Sequence, residues 1–221
     1  PNTAETAFLG LIKGIEKKLN EIKLEKIQAL GDDLKPKKLE KILSMTPRVE
    51  KVAVNDAKMR TFIADDASRG ELVSHVYDVT YGIVNNNKDT LVLLDDSIVR
   101  GTTLRDSILK IVSRLRPKKI VIVSSAPQIR FPDCYGIEMS RMNEWEAFLA
   151  LVDLLKDHQK THLLQETYER CKAQEHLPKE KIKNEVIALY ETFSYEEISK
   201  KIAEIVSPKG IKPRVEVIYQ T

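Results

Sequence analysis

Two adjacent carboxylates, Asp95 and Asp96, stand directly after the apolar run 90–94. A short loop with one glycine, Gly101, follows them and leads into two threonines, Thr102 and Thr103. Residue types in this order suit a phosphosugar. The backbone N–H groups of a tight loop that opens a helix, together with the positive end of the helix dipole, favour a phosphate. The hydroxyls of Ser97, Thr102 and Thr103 add donors, and Gly101 permits close approach of the backbone. Asp95 and Asp96 can accept hydrogen bonds from ribose hydroxyls or take Mg2+, directly or through water. An Asp-Asp pair after a strand is often only a turn and a helix cap. That plain reading does not account for the apolar run, the RGTT loop and the following helix together. The stretch is neither a GxxxxGK phosphate loop nor a GxGxxG dinucleotide fingerprint.

The elements that must position these groups can be read around them. A continuous apolar run at 90–94 suits a strand buried on both faces. Leu104, Ile108, Ile111, Val112 and Leu115 trace a helix face, Pro117 stops it, and 119–123 is a second β-branched run. A strand–loop–helix–strand unit predicts a parallel sheet, with ligands at the carboxyl ends of its strands.

Upstream, Ala7, Phe8, Leu11, Ile12, Ile15 and Leu19 recur at helical spacing, and Asn2 with Glu5 has the pattern of a capping box. Residues 20–45 continue as helix. Their lysines, Lys35, Lys37, Lys38 and Lys41, interleave with Glu21, Glu25 and Glu40, as on a solvated face rather than a nucleic-acid patch. Pro47 ends the stretch. Residues 51–54 and 60–63 are short strand candidates, and 64–89 is a polar loop apart from 72–76.

Downstream, Trp145, Phe148, Leu149, Val152 and Leu155 form one apolar stripe, and Ile182, Val186, Ile187 and Tyr190 another. Ser194 with Glu197 is a second capping box. Gly210 is a stop signal before a strand-like run, RVEVIYQT.

Composition excludes several classes. The chain has 221 residues, 42% of them hydrophobic, and 36 Lys and Arg against 33 Asp and Glu leave a net charge of +3. This is too apolar for general disorder and too weakly basic to imply nucleic acid. No run reaches the roughly 18 apolar residues of a membrane helix, and a signal peptide is not expected from the opening PNTAETAF. Cys134 and Cys171 match no metal spacing or disulfide framework, so a reducing, cytoplasmic setting is expected.

The stretch LVLLDDSIVRGTT, 91–103, resembles the phosphoribosyl pyrophosphate (PRPP) motif of type I phosphoribosyltransferases. Its SIVRGTT ending is similar to the amidophosphoribosyltransferase branch. So is SSAPQIRFPDCYGIEM at 124–139, with support from RTFI at 60–63, the helix entry at Pro1, Asn2 and Thr3, and the late EEI helix after Ser194. The resemblance implies an α/β fold of the type I phosphoribosyltransferase kind, a mostly parallel sheet flanked by helices with a C-terminal helical extension. The expected organisation is a core at 1–146, a helical insertion at 147–193 and a closing helix and strand at 194–221. The chain would be the phosphoribosyltransferase portion of a longer enzyme, without its glutaminase domain.

By the same resemblance, Asp95 and Asp96 would hold the ribose hydroxyls and Mg2+, with Thr3 as a third residue of the metal site. Ser97, Ile98, Val99, Arg100, Gly101, Thr102 and Thr103 would wrap the 5′-phosphate. Arg60 would face pyrophosphate, and Asn55 would lie on or beside the loop that closes over PRPP. The implied reaction joins PRPP and ammonia, which glutamine supplies in the full enzyme, to give 5-phosphoribosylamine and pyrophosphate, the first step of purine synthesis. Purine nucleotides as feedback ligands and a homo-oligomer are further expectations, with neither nucleic acid nor membrane as partner. No iron–sulfur cluster is expected, because Asp133 stands where one cysteine ligand would be. Residues 54–57 differ from the family's K-N-R-Y, which keeps a second reading open, a non-catalytic PRPP or nucleotide sensor; a further alternative, a transferase acting on a nucleobase, has the SIVRGTT loop and the 124–139 stretch against it.

Overall fold

The computed structural model describes residues 2–50, 53–55, 77–80, 82–132 and 141–220. The chain divides into two compact units, Pro1–Val52 and Ala53–Thr221. Arg60 and the RTFI strand candidate, Cys134 and Asp133 lie outside the described residues.

The first unit is helical. Helix α1 spans Asn2–Gln28, and α2 spans Pro36–Leu43 with its proline at the helix start, where a missing N–H costs nothing. Its lysines are exposed, and Lys35 and Lys38 both pair with Asp33. This is the solvated face expected from the interleaved charges.

The second unit holds the sheet. A two-stranded ribbon pairs β1, Ala53–Asn55, antiparallel with β2, Tyr77–Val79, so that Asn55 stands opposite Tyr77. Strand β2 falls inside the stretch read as a polar loop, because three residues are too few to show alternation.

Strands β3, Thr90–Asp95, β4, Lys119–Ser124, and β5, Arg214–Tyr219, form a parallel sheet in the order β3-β4-β5. In a parallel sheet, residues in register share a face. Leu91, Ile120 and Val215 form one row, Leu93, Ile122 and Val217 the next, and Asp95, Ser124 and Tyr219 the last. Between β3 and β4 the chain turns helical at Thr102, passes through a π-helical stretch, Leu104–Ile108, and continues as α3, Leu109–Ser113.

Helices α4, Glu146–Asp157, α5, His162–Ala173, α6, Val186–Tyr190, and α7, Tyr195–Val206, separate β4 from β5. The core joins the Ile120/Ile122 face of the sheet to Leu151 and Leu155 of α4, Tyr190 of α6, and Ile198, Ile202 and Val206 of α7. Each large aliphatic side chain so buried contributes about 1.5–3 kcal/mol. Much of segment 147–193 therefore packs into the same core as the sheet. At the start of α7, Ser194 Oγ accepts from Glu197 N at 3.1 Å and Glu197 Oε2 accepts from Ser194 N at 2.8 Å, the reciprocal cap read from the sequence.

Three expectations need correction. Strand β3 is not buried on both faces: Val92 is 47% exposed, as Ile218 of β5 is at 51%. The core lies on the Leu91/Leu93 face, and β3 is an edge of the described sheet. Of the predicted α4 stripe, Trp145 and Leu155 are buried and Phe148 packs against the core, whereas Leu149 and Val152 are only half-buried and Ala147, Ala150, Leu151 and Leu154 go inside instead. Ile182 and Ile187 are exposed, while Leu189 and Tyr190 go inside. Among the described residues no helix is long and apolar enough to cross a membrane.

Candidate functional site

Asp95 is the last residue of β3, level with Ser124 and Tyr219, so the acidic pair emerges at the carboxyl end of the parallel strands. The adjoining strand fixes it there. The Asp95 carbonyl accepts from Ser125 N at 2.9 Å, and the Asp96 carbonyl accepts from Ser125 Oγ at 3.1 Å. The two carboxylates then organise their own turn: Asp95 Oδ1 accepts from Asp96 N at 3.1 Å, and Asp96 Oδ1 accepts from Ser97 N at 2.7 Å.

Burial, with the Asp96 charge second, raises the Asp95 carboxyl to about 6 against the opposing hydrogen bond from the Asp96 backbone. Among the described residues neither carboxylate has a Lys or Arg within ion-pair distance. Two adjacent carboxylates, one of them half-buried and short of positive charge, fit a hard divalent cation that takes its other ligands from substrate oxygens and water. Asp95 and Asp96 would hold Mg2+ in that way. Among the described residues no group of three or more His, Cys, Asp or Glu side chains forms a metal site by itself.

The loop from Ser97 to Thr103 combines an anchored base with an open rim. Ile98 is buried in the core, whereas the Thr102 and Thr103 side chains face solvent at the helix start. Gly101 turns the chain at φ +62°, a conformation that favours glycine. Its carbonyl accepts from Arg105 N at 2.8 Å, which starts the helix. The widened π-helical turn follows at once, a departure from regular α-helix that is frequent at functional sites. Arg100 reaches back to Glu144, Nη2 to Oε2 at 3.0 Å.

The structure thus brings Asp95, Asp96, Ser97, Ile98, Val99, Arg100, Gly101, Thr102 and Thr103 into one continuous turn at the sheet's carboxyl edge. Thr3 lies in α1 of the other unit, with its side chain outside what is described. Arg60 falls in the interval between β1 and β2, outside the described residues.

Sequence reasoning missed Glu146. Its carboxylate is 1% exposed, neither oxygen has a hydrogen-bond partner among the described residues, and it lies against the Gly101 turn with Arg105 Nη1 3.5 Å from Oε1. Burial pushes it up to about 7, against the pull of Arg105. A lone Glu between Trp145 and Ala147, at the head of an apolar helix, was the available signal. Tyr219, buried in the same row as Asp95, was missed too. Burial first, then Tyr195, Glu146 and Asp95, push its hydroxyl well above the ordinary range.

No family model matches the chain. Curated relatives do. An amidophosphoribosyltransferase of Pasteurella multocida is 43% identical over 95 residues, 42% of this chain and 18% of that protein. The Escherichia coli amidophosphoribosyltransferase is 42% identical over 66 residues, 30% of this chain and 13% of the relative. One from Staphylococcus aureus is 35% identical over 68 residues, 31% and 14% of the two chains. The matches span less than a fifth of these relatives' own length. Within those stretches the chain is a partial homologue of amidophosphoribosyltransferases, and its parallel sheet flanked by helices is consistent with a type I phosphoribosyltransferase-like fold.

Proposed function

We propose that this chain carries the phosphoribosyl-transfer chemistry of an amidophosphoribosyltransferase: PRPP and ammonia react to give 5-phosphoribosylamine and pyrophosphate. The observation that carries this reading is the acidic pair Asp95 and Asp96 at the carboxyl end of β3, continuous with a glycine turn that opens a helix. Ligands in open α/β sheets sit at that edge.

The residues supply positioning and charge. Backbone N–H groups and hydroxyls of Ser97, Thr102 and Thr103 cradle the 5′-phosphate. Asp95 and Asp96 accept from the ribose hydroxyls, and their negative charge tolerates the positive charge that grows on the ring as the C1–oxygen bond breaks. Asp95 and Asp96 would hold Mg2+, which would supply positive charge to offset that of the departing pyrophosphate. Ammonia forms the new C1–nitrogen bond with its own lone pair and releases a proton to solvent afterwards, so no dedicated base is required. Arg60 is the residue proposed to face pyrophosphate.

The test is pyrophosphate release from PRPP with ammonium and Mg2+, run on the parent chain and on Asp95→Asn and Asp96→Asn. Release that depends on ammonia and falls about a hundredfold or more in either variant supports the reading. A chain that binds PRPP but releases no pyrophosphate is instead a sensor on the same fold, the reading favoured by the departures at 54–57. Release that requires a nucleobase acceptor rather than ammonia makes it a different transferase.

A further inference from the structure

We propose that Glu146 is a positioning residue for the phosphate loop, its buried carboxyl group filling the space under the Gly101 turn and so setting the shape in which residues 98–103 meet a phosphate monoester. This rests on the phosphoribosyl reading of the site and adds to it a residue that touches no substrate.

Contacts from both sides of the loop converge on this side chain. The Glu146 backbone N–H donates to the Val99 carbonyl at 2.8 Å, which ties the head of α4 to the loop before the turn. After the turn, Arg105 N donates to the Gly101 carbonyl at 2.8 Å, and the Arg105 guanidinium lies 3.5 Å from Glu146 Oε1. One residue before the turn, Arg100 pairs with Glu144, two residues ahead of Glu146. Segment 144–146 therefore holds the loop at residues 99, 100 and 105, with the Glu146 side chain in the middle.

The fit under the turn is close. A Cβ at position 101 would stand 2.6 Å from Glu146 Oε1, 2.8 Å from Val206 Cγ1 and 2.9 Å from Glu146 Cγ. The backbone rests on the Glu146 side chain with no room between them. Among the described residues its two oxygens accept no hydrogen bond. An arrangement kept only for stability would be served as well by an apolar side chain, since a buried carboxyl group without donors is costly. Packing of the carboxyl group's size and planar shape against the turn is what Glu146 provides here. A gap there lets the loop relax away from the geometry that aims its amides, and small displacements of positioning groups carry large penalties in binding.

Equilibrium binding of ribose 5-phosphate and of PRPP with Mg2+, by calorimetry on the full chain, tests this with the parent, Glu146→Ala and Glu146→Gln. Glutamine keeps the shape and packing and guards against a variant that merely fails to fold. Glu146→Ala is expected to weaken ribose 5-phosphate binding about tenfold or more, and Glu146→Gln to restore it to within about threefold of the parent. In the release assay the alanine loss should fall on KM for PRPP more than on kcat. Equal affinity in all three proteins overturns the proposal. An equal loss in both variants overturns it as well, because charge rather than shape would then be what the loop needs. A parent that binds ribose 5-phosphate yet releases no pyrophosphate defeats only the catalytic reading and leaves Glu146 to be judged by binding. A parent that binds neither ligand defeats both.

Discussion

The Gly101 turn and the Glu146 carboxylate are packed one on the other: a Cβ at 101 would come within 2.6 Å of Oε1. The same glycine has φ +62°. Steric room and backbone conformation therefore ask independently for glycine at the centre of the candidate phosphate loop.

Gly101→Ala should consequently do double damage. The left-handed conformation strains any side chain, and the methyl group must displace both Glu146 and Val206, for a combined loss of about 2–4 kcal/mol. Chemical denaturation of parent and variant measures this. Ribose 5-phosphate binding should fall with it, and retention of both parental stability and parental binding would show that the turn reshapes freely.

Glu146 should also give folding stability a dependence on pH. Burial raises it from the ordinary range to about 7. Between about pH 4.5 and pH 7 the unfolded chain releases this proton while the folded chain keeps it, so stability falls as pH rises through that window. The full loss, above pH 7, is about 3 kcal/mol. Glu146→Gln has no proton to release. Its stability relative to the parent should therefore increase from pH 4.5 to pH 7.5, measured by urea denaturation at each pH. A difference that stays constant across the window would show the carboxyl group to be ionised in the folded state throughout.

The sheet and the acidic turn were legible in the sequence because their signals are local. An apolar run, a β-branched run and a helix face between them specify a parallel pair, and Asp95 and Asp96 adjoin the loop they belong with. Glu146 was not legible, since it reaches Gly101 only after the chain has crossed β4 and entered α4. Periodicity found Trp145 and Leu155 of the α4 face but passed over Ala147 and Ala150, because it ranks bulk and small buried side chains add little signal. Strand β2 escaped because a three-residue ribbon owes its conformation to its partner. Exposure of Val92 depends on what covers a sheet face, which a buried-looking run of apolar residues does not specify.

The Asp95 carboxyl group should sense the charge of its neighbour Asp96. Burial is the larger cause of the raised Asp95 value of about 6, and the Asp96 charge is the second. Asp96→Asn removes only the second, so the Asp95 midpoint should drop below 6 yet stay above the ordinary range near 3.8. Carboxyl-detected NMR titration of the ligand-free chain reads this directly. An unchanged midpoint would mean that the two groups do not sense each other. Added Mg2+ should lower the midpoint in the parent, since the cation favours the ionised form.

The loop after β4 should depend on Gln128 more than on any other polar contact it makes. Gln128 is buried, and its Nε2 donates to the Tyr195 carbonyl at 2.9 Å and to Ser199 Oγ at 2.7 Å. Its Oε1 accepts from Arg130 Nε at 2.9 Å and Nη2 at 2.7 Å. The Arg130 guanidinium in turn lies 5.1 Å from the Tyr190 ring centroid and 4.9 Å from that of Tyr195. One amide thus fastens the segment following the Asp95–Ser124–Tyr219 row to α7. Gln128→Leu keeps the volume but strips Ser199 of its donor and Arg130 of its acceptor, at a cost of about 2–3 kcal/mol. Tyr195→Phe removes only the hydroxyl that accepts from Gln128 N at 2.9 Å and should cost about 1 kcal/mol. Urea denaturation of the two variants should rank them in that order. The reverse order would place the hold on α7 in the tyrosine hydroxyl instead of the glutamine amide.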